Sequence, residues 1–294
     1  MPGFTRVAVV AVVMCVLGGC QPKHDTASGG DSAAVAAAPA GAAAAPAAPV
    51  IVTVHARDFA YDAPDQIEAG MTTFHLVNDG PGLHHLVLIR LDSAKTAADL
   101  QAATKKPGPL PGWAVVSGGP NAAEPKGEST ATVDLVPGNY VMLCFIDVPN
   151  NVPHFSKGMF RPLTVTPVTT ASLPAPASDL VVSLSNYSIA LSRPLTAGQH
   201  TIKVETAPGQ PHELVLIRLD AGKTAKDVFG WMQKMQGPPP GHVVGGASPS
   251  TAGIPVYVSI NLVPGKYLLI CFLPDAKDGK PHFTHGMMQT VDIA

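Results

Sequence analysis

The chain has 294 residues, enough for two ordinary domains, and its 19 basic residues nearly balance 21 acidic ones. A formal charge of −2 offers no basic footprint, so a nucleic-acid partner is excluded. Aromatic residues make up only 5%, while Pro and Gly number 30 and 28, which speaks against long helices and for short strands joined by turns.

In chain order the first signal is "MPGFTRVAVVAVVMCVLGGC", one Arg followed by an apolar run that ends in small residues. Residues 1–20 read as a secretory signal, too short for a convincing membrane span. Leu17-Gly18-Gly19-Cys20 resembles the bacterial lipobox, so Cys20 is the expected lipidation site and new N-terminus. Residues 21–49 read as a disordered Ala/Pro-rich tether, because proline interrupts any helix that alanine favours. Together these predict a lipoprotein of the bacterial cell envelope, anchored to a membrane and facing the periplasm or exterior. Gln21 after Cys20 favours the outer membrane, by resemblance to the sorting rule of enteric bacteria.

Beyond the tether the sequence repeats itself. "HHLVLIRLDSAKTAADL" begins at His84 and "HELVLIRLDAGKTAKDV" at His212; "DLVPGNYVMLCF" matches "NLVPGKYLLICF". Upstream, residues 57–70 align without a gap on residues 185–198. The period is too long for a solenoid and predicts two tandem domains, residues 50–167 and 179–294, with a Pro-rich linker at 168–178. In the first copy, strands are expected at 50–54, 72–77, 86–91, 131–135, 140–145 and 163–165, from alternating or β-branched runs set between Gly, Pro, Asn and Asp. One short helix interrupts each copy, at 93–104 and 223–235, expected on the rim. The expected fold class is all-β: two tandem, independent Greek-key β-sandwiches, each with one short inserted helix.

Four cysteines occur: Cys15 and Cys20 in the leader region, Cys144 and Cys271 one per copy. The latter two hold equivalent places in different repeats, which rules out an intradomain disulfide. In an oxidising compartment an unpaired thiol is then either buried in the core or tied to a metal. Strand alternation puts Tyr140, Met142 and Cys144 on one face, with Cys144 near the strand end. "PHFSKGM" and "PHFTHGM" follow, carrying His154 and Met159, and His282 and Met287. His84 and His212 each open an earlier strand. Each copy therefore offers two His, one Cys and one Met, and two imidazoles, a thiolate and a weak axial thioether are the donors of a blue-copper site.

On these residues, "FHLVNDGPGLHH", the Tyr-three residues-Cys strand end and the Pro-His-Phe-two residues-Gly-Met run, the chain resembles the cupredoxin family of plastocyanin, azurin and pseudoazurin. The resemblance covers most of both copies. It implies a cupredoxin-like sandwich in each and one copper per domain, held by His84, Cys144, His154 and Met159 in the first and by His212, Cys271, His282 and Met287 in the second. His85 is set aside, because Glu213 stands at its place in the other copy. In one respect the chain departs from the family: "FIDVPNNVP" and "FLPDAKDGKP" separate Cys from His, where the family has a short loop. Asn150-Asn151 and Asp278-Gly279 are turn dipeptides, so each excess is expected to loop outward and return. The function these readings predict is electron transfer or copper handling, with a redox or copper-accepting protein as partner. The alternative is a metal-free cupredoxin-like module that binds a partner protein or glycan. Catalysis is not expected: the chain has no His-X-His pair for a trinuclear copper cluster and no Gly-X-Ser-X-Gly motif.

Overall fold

The computed structural model describes residues 50–105, 108–148, 152–168, 173–234 and 236–294. Cys20, the leader, the tether and the Asn150-Asn151 turn lie outside the described residues.

The first half runs β1 (Val50–Arg57), β2 (Ala60–Asp62), β3 (Gln66–Glu68), β4 (Gly70–Asn78), β5 (Val87–Leu91), α1 (Ala97–Ala103), β6 (Ala114–Val116), β7 (Glu128–Leu135), β8 (Gly138–Leu143), β9 (Asp147–Val148), β10 (Val152–Pro153), a 3-10 turn (His154–Lys157) and β11 (Phe160–Thr166). The second half repeats most of this order: β12 (Leu180–Ser185), β13 (Ser188–Leu191), β14 (Gly198–Thr206), β15 (His212–Leu219), α2 (Ala225–Met232), β16 (Gly241–Ser250), β17 (Val256–Leu262), β18 (Gly265–Ile270), a 3-10 turn (His282–His285) and β19 (Met288–Ile293). No helix among the described residues is long and apolar enough to cross a membrane.

The two halves are not independent sandwiches, and here the expectation needs correction. One eight-stranded sheet runs through both, in the order β13-β12-β14-β17-β7-β4-β1-β2. Its middle is the antiparallel β7–β17 pair, in which Val258 faces Ala131 and Val256 faces Val133. The opposing layer is built from β3-β11-β8-β5-β6 and β16-β15-β18-β19. Bridges between Ser117 and Ser250 and between Pro120 and Ala247 stitch these two sheets together. Beside this seam, the backbones of β15 and β16 come very close. A Cβ on Gly246, at φ +136°, would lie 1.9 Å from the carbonyl oxygen of Leu214, so glycine alone fits.

The physical reason for the fusion is the shared core. β4 alternates buried and half-buried residues along its whole length, which aims Phe74 and Leu76 inward. They join one apolar cluster with Val133, Met142, Val204, Val258 and Leu269, drawn from both layers and both halves. Burying a side chain of this kind contributes roughly 1.5–3 kcal/mol, and pairing β7 with β17 hides two sheet edges at once.

The helices also depart from expectation. Thr96 and Thr224 each accept from the backbone N–H of an Asp three residues on, whose carboxylate accepts from the Thr N–H in return. These capping boxes start α1 and α2 at Ala97 and Ala225, later than the apolar pattern suggests. Neither helix sits on a rim. The residues of β5 and β8 that point away from the core (Val87, Ile89, Val141 and Leu143) need a cover, and Leu100 of α1 provides it. Val228 of α2 does the same over Val215, Ile217, Leu268 and Ile270.

Candidate metal centres

Alternation along β8 sends Tyr140, Met142 and Cys144 into the central core and Val141 and Leu143 outward. Cys144 is fully buried at the point where the strand stops pairing, and β18 delivers Cys271 in the same way. Among the described residues both cysteines are free thiols. Burial in apolar surroundings pushes each thiol up to about 12. Backbone N–H groups of His85 and Ile146 oppose that rise at Cys144, and those of Glu213 and Leu273 do so at Cys271.

The segment between Cys and His does loop out and come back. β9 and β10 form a small antiparallel ribbon, Val148 opposite Val152 and Asp147 opposite Pro153. In the second half Pro274 bridges to Pro281, and Gly279, at φ +72°, turns the tip. The return is pinned at the histidine: the N–H of His154 donates to Ile146 O at 2.8 Å, and that of His282 to Leu273 O at 2.8 Å. The Pro-His-Phe-two residues-Gly-Met run then has a plain reading. His opens one 3-10 turn, and Gly158 (φ +117°) or Gly286 (φ +101°) ends it in the left-handed region. The next residue lies back against the cysteine strand, with Cys144 N–H donating to Met159 O at 3.3 Å and Cys271 N–H to Met287 O at 3.2 Å. Both methionines are fully buried.

In each half two histidines and the cysteine converge. His154 Nδ1 lies 3.2 Å from His84 Nδ1 and 3.6 Å from Cys144 Sγ. His282 Nδ1 lies 3.1 Å from His212 Nδ1 and 3.3 Å from Cys271 Sγ. All six residues are buried, and each trio could hold a single ion. Donors that share one ion at about 2.0–2.3 Å have separations of this size. Neutral imidazoles suit such a role, and burial supplies them: it depresses His154 and His212 to about 4 and lowers His84 and His282.

The outer nitrogens are held by residues that sequence reasoning passed over. His84 Nε2 is 2.8 Å from Asp58 Oδ1, and His212 Nε2 is 3.1 Å from Asn186 Oδ1. A carboxylate or amide oxygen only accepts, so Nε2 carries the hydrogen and Nδ1 turns its lone pair inward. Phe59 and Tyr187 pack edge-on against His154 and His282. These partners sit at matching places in the two repeats, which was the signal that could have found them. His282 Nε2 is buried without a hydrogen-bond partner, 3.9 Å from Asp275 Oδ2. Hydrogen bonds from Gln210 and Tyr187 hold the Asp275 carboxyl far below the usual range.

His85, set aside above, and three further histidines take other roles. His85 Nε2 accepts from the N–H of Phe145 at 2.8 Å, and burial lowers it to about 3. His75 faces Glu128, His200 faces Asp179, and His285 faces Asp278.

No protein family model matches the chain, and no curated protein does. Solved structures similar to it include dithionite-reduced auracyanin from Roseiflexus castenholzii, at 24% identity, covering 41% of this chain and 99% of that one, with a TM-score of 0.27. Auracyanin A, a "blue" copper protein from Chloroflexus aurantiacus, is 22% identical over 40% of this chain and all of its own, with a TM-score of 0.29. Blue copper oxidase from Nitrosomonas europaea is 15% identical over 84% of this chain and 86% of its own, with a TM-score of 0.26. Overlaps this loose decide nothing about activity.

Proposed function

We propose that the chain is a copper-binding protein of the cell envelope with one type 1, blue-copper-like centre in each half, serving electron transfer or copper handling and not catalysis. One observation carries this reading: the same buried His-Cys-His convergence occurs twice, with one imidazole Nδ1 set against both the thiol sulfur and the Nδ1 of the other imidazole. Copper in such a site exchanges one electron, and imidazole, thiolate and thioether suit both of its oxidation states. His84, Cys144 and His154 would hold the ion of the first centre, with Met159 offering a weaker thioether donor; His212, Cys271, His282 and Met287 would do the same in the second. Asp58 and Asn186 fix the tautomer, and the apolar core keeps water from the sulfur. Each half is read as one copy of a duplicated cupredoxin-like sandwich, fused to the other along its sheets. A redox or copper-accepting protein is the proposed partner.

The test is copper loading of the exported chain. Two coppers per chain and an intense visible thiolate-to-copper band are expected, with Cys144→Ala and Cys271→Ala each removing part of the band. A well-folded, copper-loaded chain without the band ends the blue-copper reading. The anchor is tested separately. Cys20→Ser should release the protein from the membrane or leave its precursor unprocessed, and unchanged attachment and processing would refute lipidation there.

A further inference from the structure

The two centres share their donors and differ in what stands behind them. The residue after the upstream histidine is His85 in the first half and Glu213 in the second, both buried. Each accepts from the N–H that follows the cysteine: His85 Nε2 from Phe145 at 2.8 Å, Glu213 Oε1 from Phe272 at 3.1 Å. One slot beside the sulfur thus holds a neutral ring in one centre and a carboxyl in the other. The second oxygen of Glu213 accepts from Asn121 Nδ2 at 3.1 Å, and the same amide donates to Ala247 O at 2.9 Å. Asn121 belongs to the first half, so one half completes the surroundings of the other half's centre. Both carboxyl oxygens meet N–H donors, an arrangement that suits a carboxylate and works against burial, which pushes the Glu213 carboxyl up to about 7.

Of the remaining charges, buried Asp275 favours the same asymmetry, while Asp58, hydrogen-bonded to His84 where the second centre has the neutral Asn186, opposes it. Near the second centre, Asp275 lies 3.9 Å from His282 Nε2 with its side chain 2% exposed. Near the first, Asp58 is 35% exposed, Asp147 is exposed, and Lys157 acts on His154 with positive charge. A charge shielded from water acts more strongly than one in contact with it. A fixed negative charge favours the more positive, oxidised ion.

Resting on the copper reading above, we propose that the two centres are unequal in reduction potential. The His212–Cys271–His282 centre is the lower, with Glu213, positioned across the halves by Asn121, as the chief cause. A single electron given to the pair therefore resides on the His84–Cys144–His154 centre, leaving the second centre oxidised.

The experiment is an anaerobic redox titration of the full copper-loaded chain, followed by the visible band, in Cys271→Ser (first centre alone) and Cys144→Ser (second centre alone). The second centre should be the lower by about tenfold in electron partition or more, which for one electron is 59 mV. Glu213→Gln and Glu213→His in the Cys144→Ser background should raise its midpoint, and Asn121→Ala should shift its band and midpoint. In the Cys271→Ser background, His85→Glu should lower the first centre, and this variant decides the matter if those at Glu213 fail to fold. Equal midpoints, the reverse order, or Glu213 variants that leave the second midpoint unmoved overturn the proposal. A wild-type chain without a visible band fails the copper reading itself and takes this inference with it.

Discussion

Copper binding should release one proton per centre, and its pH dependence follows from the buried groups. In the metal-free chain each thiol stands at about 12, while His154 and His212 stand at about 4. Burial lowers all four donor histidines, so above about pH 6.5 they are already neutral, while below about 12 the thiol still holds its proton. Only the thiol must lose one, so apparent affinity should rise about tenfold per pH unit, or roughly 1.4 kcal/mol. At pH 7 the thiol is five units below its midpoint, and deprotonation consumes roughly 7 kcal/mol of the intrinsic binding energy. As pH falls from 6.5, protonation of the histidines adds to the slope, with His154 and His212 joining near pH 4. The assay is competition against a chelator of known pH dependence at several pH values from 5 to 9, in the two single-centre variants. A slope near zero over that range would mean that the sulfur does not lose its proton to the metal, and would refute the donor assignment.

Asp58→Ala and Asn186→Ala should each weaken copper at their own centre by about 10–100-fold and leave the other unchanged, read by the same competition. The metal-free chain should lose stability in acid. Burial lowers His85 to about 3 and His154 and His212 to about 4, so their stabilising share is whole above about pH 6.5 and fades as pH falls to those values. Thermal melts from pH 8 to 4 should show this fall, and copper should reduce it. Because one core serves both halves, heat should unfold the chain in one transition, with calorimetric and van't Hoff enthalpies equal. Two separate transitions would contradict the shared core.

The donor set was legible because it is written twice, and because strand alternation alone puts Cys144 on the inner face with Tyr140 and Met142. What lies between repeats was not legible. β7 "ESTATVDL" and β17 "VYVSINL" read as ordinary half-buried strands, and nothing in a strand's own period says which edge another strand will cover. The helix position was hidden for a related reason. Val141 and Leu143 are apolar on the face away from the core, so β8 is a strand buried on both faces, and that second face demands a cover. The starts of α1 and α2 were readable in Thr96 and Thr224 with their Asp partners, a local signal stronger than the apolar pattern.

The long segment between cysteine and histidine does not open the centre but closes it. Were it a floppy insertion, its ends would be free to part and His154 would drift from Cys144. Instead its two arms pair with each other, and the pairing ends on the hydrogen bonds that His154 and His282 donate to Ile146 O and Leu273 O. Length therefore adds little uncertainty at the ligands, because the ribbon fixes its own ends whatever its tip does. The same arms carry the N–H groups of Ile146 and Leu273 to the sulfur, and in the second half they carry Asp275 to His282 and to Tyr187. The turn is thus part of the shell that orients the donors. That is why two segments differing by one residue, "FIDVPNNVP" and "FLPDAKDGKP", can end in nearly the same arrangement: Nδ1 atoms 3.2 and 3.1 Å apart.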